Sequence, residues 1–278
     1  MTETCKMSPV LKWAGGKTQI LKEIIPLIPE TYNNFYEPFV GGGAVCLAVS
    51  PKRLVINDIN EQLINLYRQI KHSAEAVINL ISEYDNRECD KELYLKNREK
   101  YNIKISNREL DAECAALMIW INKHCFNGLY RVNGKGLFNV PYNNRNLGKS
   151  INPENLLAIG SYFKNNNISI SCKDFEEVCE DVKSGDFVYF DSPYIPESET
   201  AYFTDYTKDG FTYSDHKRLA DLFARLDGIG ARLMLSNNDV PLIYELYKGY
   251  NIRSFGAKRM INCNASKRFG KEVIITNY

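Results

Sequence analysis

Asp191-Ser192-Pro193-Tyr194 follows directly on Phe187-Val188-Tyr189-Phe190, a run of aromatic and β-branched residues. Such a run predicts a buried strand. The proline ends the hydrogen-bonding ladder and pins the backbone where the strand leaves its sheet. A carboxylate, a backbone carbonyl and an aromatic face then stand together at the carboxyl edge, where open α/β folds bind ligands. A flat ring bearing an amine suits this set: it stacks on Tyr194 while its NH2 group donates to Asp191 and to the Ser192 carbonyl. Taken alone, the tetrapeptide reads equally as a turn that ends a strand.

Two glycine turns add to it. Phe39-Val40-Gly41-Gly42-Gly43-Ala44 joins a short strand expected at 35–39 to a helix starting at Ala44. Glycines there let the backbone approach a ligand closely. Asp58 ends the next expected strand, 54–58, where an acid accepts hydrogen bonds from two ribose hydroxyls. Turn and acid together point to a cofactor containing a nucleoside. A nicotinamide cofactor is disfavoured, because Cys46 stands where Gly-x-Gly-x-x-Gly needs its third glycine. Lys12-Trp13-Ala14-Gly15-Gly16-Lys17 is a second small-residue turn opening a helix, a place suited to anions. It lacks the spacing of a phosphate-binding loop of nucleotide hydrolases.

The elements that position these residues are of two kinds. Strands are expected at 35–39, 54–58, 168–171, 187–190, 232–235 and 273–276. Helices are expected at 18–28, 63–70, 74–84, 111–121 and 213–226, the last capped by Ser214. Strands at both ends and helices between them predict an α/β fold, a doubly wound sheet with a mainly helical insert. The expected division is a catalytic part formed by 1–60 and 150–278 and an insert at 61–149. Within the insert, two β-prone runs flank Asn133-Gly134 and predict a hairpin.

Charge is nearly balanced over the 278 residues, at +1, but it is unevenly spread. No acid lies between Glu113 and Glu154, a stretch that holds Lys123, Arg131, Lys135, Arg145 and Lys149 among Phe126, Tyr130, Phe138 and Tyr142. A second acid-free stretch, Lys248 to Lys271, holds Lys258, Arg259, Lys267 and Arg268. Segments cleared of carboxylates suit a phosphate backbone, and equally a solvated basic loop. The eight cysteines nowhere form Cys-x-x-Cys and the three histidines are far apart, so no metal cage or disulfide framework is expected. No secretory signal or membrane-spanning run is apparent, and the expected setting is cytoplasmic.

Five segments, in order, give the chain a family likeness. It resembles the DNA adenine-N6 methyltransferases of the Dam type, which share a Lys-Trp-x-Gly-Gly-Lys start, a Glu-Pro-Phe-x-Gly-Gly-Gly loop, Asn-Asp after the next strand, a Phe-Asn-Gly-Leu-x-Arg hairpin and Asp-Pro-Pro-Tyr. Here these are Lys12–Lys17, Glu37–Gly43, Asn57-Asp58, Phe126–Arg131 and Asp191–Tyr194. The resemblance implies a Rossmann-like methyltransferase fold, S-adenosyl-L-methionine as donor with S-adenosyl-L-homocysteine as product, and a flipped adenine in duplex DNA as target, within GATC. It assigns catalysis to Asp191, Ser192, Pro193 and Tyr194. Cofactor binding would fall to Trp13, Ala14, Gly15, Lys17, Glu37, Phe39, Gly41, Gly43, Asp58, Asp174, Phe175 and Asp191. DNA binding would fall to Lys12, Phe126, Asn127, Leu129, Arg131, Lys258, Arg259, Lys267 and Arg268, with Arg131 reading a guanine. A monomer is expected, with a companion restriction endonuclease compatible with the pattern. Two departures stand out: Ser192 replaces the family's first proline, and Asn143 follows Pro141-Tyr142 in place of glycine. Methylation of RNA or protein, and DNA binding without catalysis, are the competing readings.

Overall fold

The computed structural model describes residues 7–145, 147–196, 210–258 and 269–278. Arg259, Lys267 and Arg268 lie outside them. The described strands are β1 (Phe35–Glu37), β2 (Arg53–Asn57), β3 (Asn167–Ser171), β4 (Phe187–Phe190), β5 (Arg232–Asn238), β6 (Asn251–Lys258) and β7 (Phe269–Thr276). They form a seven-stranded sheet in the order β3-β2-β1-β4-β5-β7-β6. β1 pairs in parallel with β2 and β4, and β4 in parallel with β5. β7 runs antiparallel to both β5 and β6. The strand order reverses between β1 and β4, and in open sheets of this kind the connections leaving such a pair part to opposite sides and leave a crevice at the carboxyl edge.

The expected α/β class is what the chain adopts. β6 was not expected, because Asn251-Ile-Arg-Ser-Phe-Gly-Ala-Lys258 shows little apolar alternation. It is an edge strand paired only with β7, so little selects for an apolar face.

The helices are α1 (Leu21–Ile24), α2 (Ala44–Val49), α3 (Glu61–Tyr84), α4 (Lys91–Ser106), α5 (Ala112–His124), α6 (Pro153–Asn165), α7 (Phe175–Val178), α8 (Tyr213–Gly228) and α9 (Pro241–Leu246). The helix expected at 18–28 is instead α1 between two 3-10 turns, Lys17–Gln19 and Ile25–Leu27. Pro26 donates no hydrogen bond and restricts Ile25, which breaks the run. The gap expected between 70 and 74 appears as a kink in α3 at Ser73, whose hydroxyl accepts from the Ala76 amide. α8 is capped by Thr212 rather than Ser214: Thr212 Oγ1 accepts from the Asp215 amide while the Asp215 carboxylate accepts from the Thr212 amide. That reciprocal pair satisfies two orphan donors.

The described residues cluster into two compact units. The first holds those up to Gly16 with Gly41–Lys52 and Asn60–Cys172, and the second holds Lys17–Val40, Arg53–Ile59 and those from Lys173 onward. The expected insert, 61–149, falls in the first, which also takes in 7–16, 41–52 and 150–172. Its core is helical, with α3 packed on α5 and α6 around Trp120, Tyr94 and Phe163. The core of the second comprises Tyr36, Val188, Phe190, Phe223, Leu233 and Ile275, from the sheet and α8.

Candidate active site

In the second unit, Asp191 is the first residue past β4, beside the crevice. Parallel pairing with β1 and β5 fixes the strand that delivers it. Its carboxylate meets Lys17 Nζ at 2.6 Å, and the two side chains are only 21% and 6% exposed. Burial raises the Asp191 carboxyl from 3.8 to about 6, an effect that Lys17 partly offsets and Glu272 adds to. Lys17 Nζ also stands 4.5 Å from the centre of the Tyr194 ring, a cation–π contact. The Tyr194 hydroxyl donates to Glu272 Oε2 at 3.0 Å. The structure thus brings Lys17, Asp191 and Tyr194 together, as expected, and adds Glu272.

Beyond Tyr194 the chain is tied to the end of β5. The Ile195 amide donates to Asn237 Oδ1 at 2.9 Å, and Asn238 Nδ2 donates to the Ile195 carbonyl at 2.7 Å. These two buried asparagines anchor the turn and were not anticipated, since nothing in Ser236-Asn237-Asn238 separates a site residue from a strand end. Ser192 is 2% exposed, and its hydroxyl has no hydrogen-bond partner among the described residues. Pro193 follows at intermediate depth.

Asn57 organises the rest of the crevice edge. Its Nδ2 donates to the Pro38 carbonyl at 3.0 Å and to the Lys173 carbonyl at 2.9 Å, and its Oδ1 accepts from the Lys173 amide at 2.9 Å. One buried amide therefore joins the end of β2, the loop after β1 and the segment leading to α7. That explains an asparagine before Asp58, which follows β2. Glu37 ends β1 and is buried. The Phe39 and Phe175 rings lie 5.3 Å apart at 32°, with Phe211 at their edge. Asp174 caps α7, and its Oδ1 is also held by Arg218 at 2.9 Å. Lys258 ends β6.

In the first unit, Trp13 stacks on Tyr130, with centroids 5.2 Å apart and planes at 25°. Tyr130 in turn shares a hydroxyl contact of 3.1 Å with Tyr101. Ala14 and Gly15 are exposed in the turn after Trp13. Gly41 accepts from the Tyr67 hydroxyl at 2.7 Å. Gly43 caps α2 at φ +72, where a Cβ would lie 2.8 Å from that same hydroxyl, so only glycine closes this turn.

Asn122, also unanticipated, ties Lys12 to the hairpin. The Lys12 amide donates to Asn122 Oδ1 at 3.0 Å, and Asn122 Nδ2 donates to the carbonyls of Lys12 and Gly128, each at 3.0 Å. Gly128, at φ +67, leaves room for the Lys12 chain, which a Cβ would meet at 2.5 Å. Asn127 holds φ +57, a left-handed conformation asparagine tolerates. Phe126 is 49% exposed beside it, and Leu129 is half-buried. The hairpin expected around Asn133-Gly134 is present, with Val132 bridged to Phe138. Its turn is set by Asn133, whose Oδ1 accepts from the Lys135 and Leu137 amides. Arg131 is exposed, and its Nε donates to Asn139 Oδ1 at 2.8 Å.

Comparison with known proteins shows the family. Residues 13–261 match the model of the D12 class N6 adenine-specific DNA methyltransferases. The chain belongs to that family. It is 46% identical to Type II methyltransferase M1.LlaDCHI of Lactococcus lactis subsp. cremoris, over 98% of this chain and 96% of the relative. It is 42% identical to Type II methyltransferase M.MjaIII of Methanocaldococcus jannaschii, over 98% and 100%. It is 34% identical to a DNA adenine methylase of Vibrio cholerae, over 95% and 93%. The protein is an adenine-N6 DNA methyltransferase, and membership implies S-adenosylmethionine as its methyl donor. Among the described residues no helix is long and apolar enough to cross a membrane.

Proposed function

We propose that the enzyme methylates a flipped-out adenine within GATC, with Asp191 and the Ser192 carbonyl receiving the two N–H bonds of the target amine and Tyr194 stacking on the ring. The observation that supports this most is the Lys17–Asp191 ion pair at the carboxyl end of β4, with the Tyr194 ring beside it. Adenine N6 is a weak nucleophile because its lone pair is delocalised into the ring. Two acceptors pulling on its N–H bonds localise that pair, and fixed groups do this without reorganisation. Burial raises the Asp191 carboxyl to about 6, and Lys17 favours its ionised, stronger-accepting form. N6 is out of reach of this geometry inside a duplex, so the base leaves the stack. Once methylated, the amine sheds a proton readily, and Asp191 is placed to receive it.

The residues fit the donor. Asp191 and Glu272 carry two negative charges against one ammonium, Lys17, which leaves a net negative charge suited to a sulfonium. When bound, S-adenosylmethionine supplies a methyl group on a good leaving group. In the second unit Asp58 would take its ribose, Phe175 and Asp174 would bind its adenine with Phe39 packed beside Phe175, and Glu37 would line the crevice. In the first unit Trp13, Ala14, Gly15, Gly41 and Gly43 carry the same role from the motif likeness. Lys12 and Arg131 would read bases, Phe126 and Leu129 would intrude near the vacated space, Asn127 would hold DNA backbone or base, and Lys258, Arg259, Lys267 and Arg268 would neutralise phosphate. The protein would act as a cytoplasmic monomer. A companion endonuclease is supported by the two relatives of higher identity, both named Type II methyltransferases.

Sequencing-based mapping of N6-methyladenine in DNA from cells expressing the chain tests the site. Methylation confined to GATC is expected; a different consensus overturns that assignment. Digestion of the same DNA by endonucleases that cut GATC only when it is unmethylated should be blocked.

A further inference from the structure

Tyr194 is held at both ends. Its ring faces Lys17 Nζ at 4.5 Å, and its hydroxyl donates to Glu272 Oε2 at 3.0 Å. Glu272 sits inside β7, paired with Asn238 of β5 on one side and Phe255 of β6 on the other. Its backbone is therefore fixed by ladders on both edges, unlike the turn that carries Tyr194. We infer that Glu272 is a positioning residue for methyl transfer, fixing the plane of the Tyr194 ring against which the target base stacks. This rests on the proposed role of Tyr194.

Three physical points support the assignment. A tyrosine whose hydroxyl is unbound can turn about its side-chain bonds, and stacking on a turning ring loses precision that catalysis depends on. A bond from a phenol to a carboxylate is charge-assisted and so about twice as strong as a neutral one. It also makes the ring richer in electrons, which favours both the Lys17 contact and stacking by an electron-poor purine. Burial, with Asp191 and Glu272 nearby, holds the Tyr194 hydroxyl well above its usual range, so it remains a donor throughout.

The test compares Glu272→Leu, Glu272→Gln, Tyr194→Phe and the Glu272→Leu/Tyr194→Phe pair in the full-length enzyme. Single-turnover methylation is measured with saturating S-adenosylmethionine on a duplex carrying the mapped target adenine. Glu272→Leu and Tyr194→Phe should each slow transfer about tenfold, and the double variant should be no slower than either, since both remove one bond. Glu272→Gln, which keeps an acceptor, should stay within about threefold of the parent on the same argument. With 2-aminopurine at the target position, Glu272→Leu should bind the duplex as tightly as the parent but show brighter emission, because the extruded base is stacked less. A double variant whose losses multiply, or a Glu272→Leu enzyme at the parent rate and emission, overturns the inference. Should Glu272→Leu fail to fold, Glu272→Gln decides: a rate as low as that of Tyr194→Phe overturns it, and a near-parent rate supports it. Tyr194→Ala separates the two levels. If it transfers normally, the role of Tyr194 itself falls; if it is inactive while Tyr194→Phe and Glu272→Leu are at the parent rate, only the role of Glu272 falls.

Discussion

The crevice edge of the second unit and the hairpin of the first treat polar side chains in opposite ways. At the crevice, Lys17 is buried and Asp191 mostly so, and most polar groups are met by another: Lys17 by Asp191, the Tyr194 hydroxyl by Glu272, the Ile195 amide by Asn237 and its carbonyl by Asn238, with the Ser192 hydroxyl an exception among the described residues. On the hairpin, Phe126, Asn127 and Arg131 are exposed, and the ties run beneath them, through Asn122 and Tyr130. Groups that stabilise a developing charge work best when fixed before the substrate arrives. Groups that read bases must keep polar edges available to the duplex, and Arg131 stays exposed although its Nε is held by Asn139.

The largest effect that would break this contrast lies at the crevice. Asp191→Ala removes the carboxylate that meets the buried Lys17 ammonium. Transfer should fall by about 10²–10³ or more, while affinity for duplex DNA stays near the parent value. A filter-binding assay beside a methylation assay checks both. Loss of DNA binding in step with activity would place Asp191 in recognition and remove the distinction.

The pH dependence sharpens the same side. In the proposed mechanism Asp191 acts as a carboxylate, a stronger acceptor than the acid form, and its carboxyl is raised to about 6 by burial. Transfer at saturating substrate should therefore fall as pH drops below 6, approaching a tenfold loss per unit. Stability moves the other way for this group. A carboxyl raised in the folded state favours folding below its ordinary value, near 3.8, and that contribution is lost as pH rises through about 6. Activity and stability contributed by Asp191 thus have opposite slopes. A pH–rate profile flat down to pH 5 would show that Asp191 is not needed as a carboxylate.

Arg131→Ala tests the other side of the comparison. A guanidinium gripping guanine O6 and N7 is worth about 1–3 kcal/mol of discrimination. The variant should relax specificity at one base pair and leave the single-turnover rate on the cognate site less affected than in Asp191→Ala. Rates on the cognate and on singly substituted duplexes across a salt series measure this. An equal loss on every duplex would make Arg131 a phosphate contact.

The two regions also differed in how far they could be read from residues alone. Asp191, Tyr194 and Lys17 were found because a proline-ended strand and a glycine turn mark sheet edges. β4, which delivers Asp191 and Tyr194, and its sheet companions β1, β2 and β5 were apolar enough to be found as well. Asn57, Asn122, Asn237, Asn238 and Glu272 were not found as site residues. Each does its work through bonds to residues remote in sequence, and an asparagine or glutamate inside a helix or strand has no pattern that reveals its partner. Among the elements, β6, α4, α6 and the short α7 and α9 were missed, the first two for a related reason. β6 is an edge strand, and α4 buries Asn97 and Lys104 alongside Tyr94 and Tyr101, which blurs its apolar stripe.

The smallest effect expected is at Ser192, and its small size is what makes it informative. The family's proline is replaced by a serine whose hydroxyl is buried without a partner among the described residues. A hydroxyl in that condition contributes desolvation cost and no hydrogen bond. The chemistry assigned to this position uses the backbone carbonyl, which proline also carries. Ser192→Pro should therefore keep or raise the transfer rate. By restricting the unfolded chain it should also stabilise the fold by about 0.4–1 kcal/mol, provided the turn already holds a φ near that of proline. Thermal unfolding and single-turnover rates of this one variant measure both. A folded but inactive Ser192→Pro enzyme would mean that the hydroxyl contacts the substrate. The crevice would then share the trait seen on the hairpin, a polar group left open until DNA arrives.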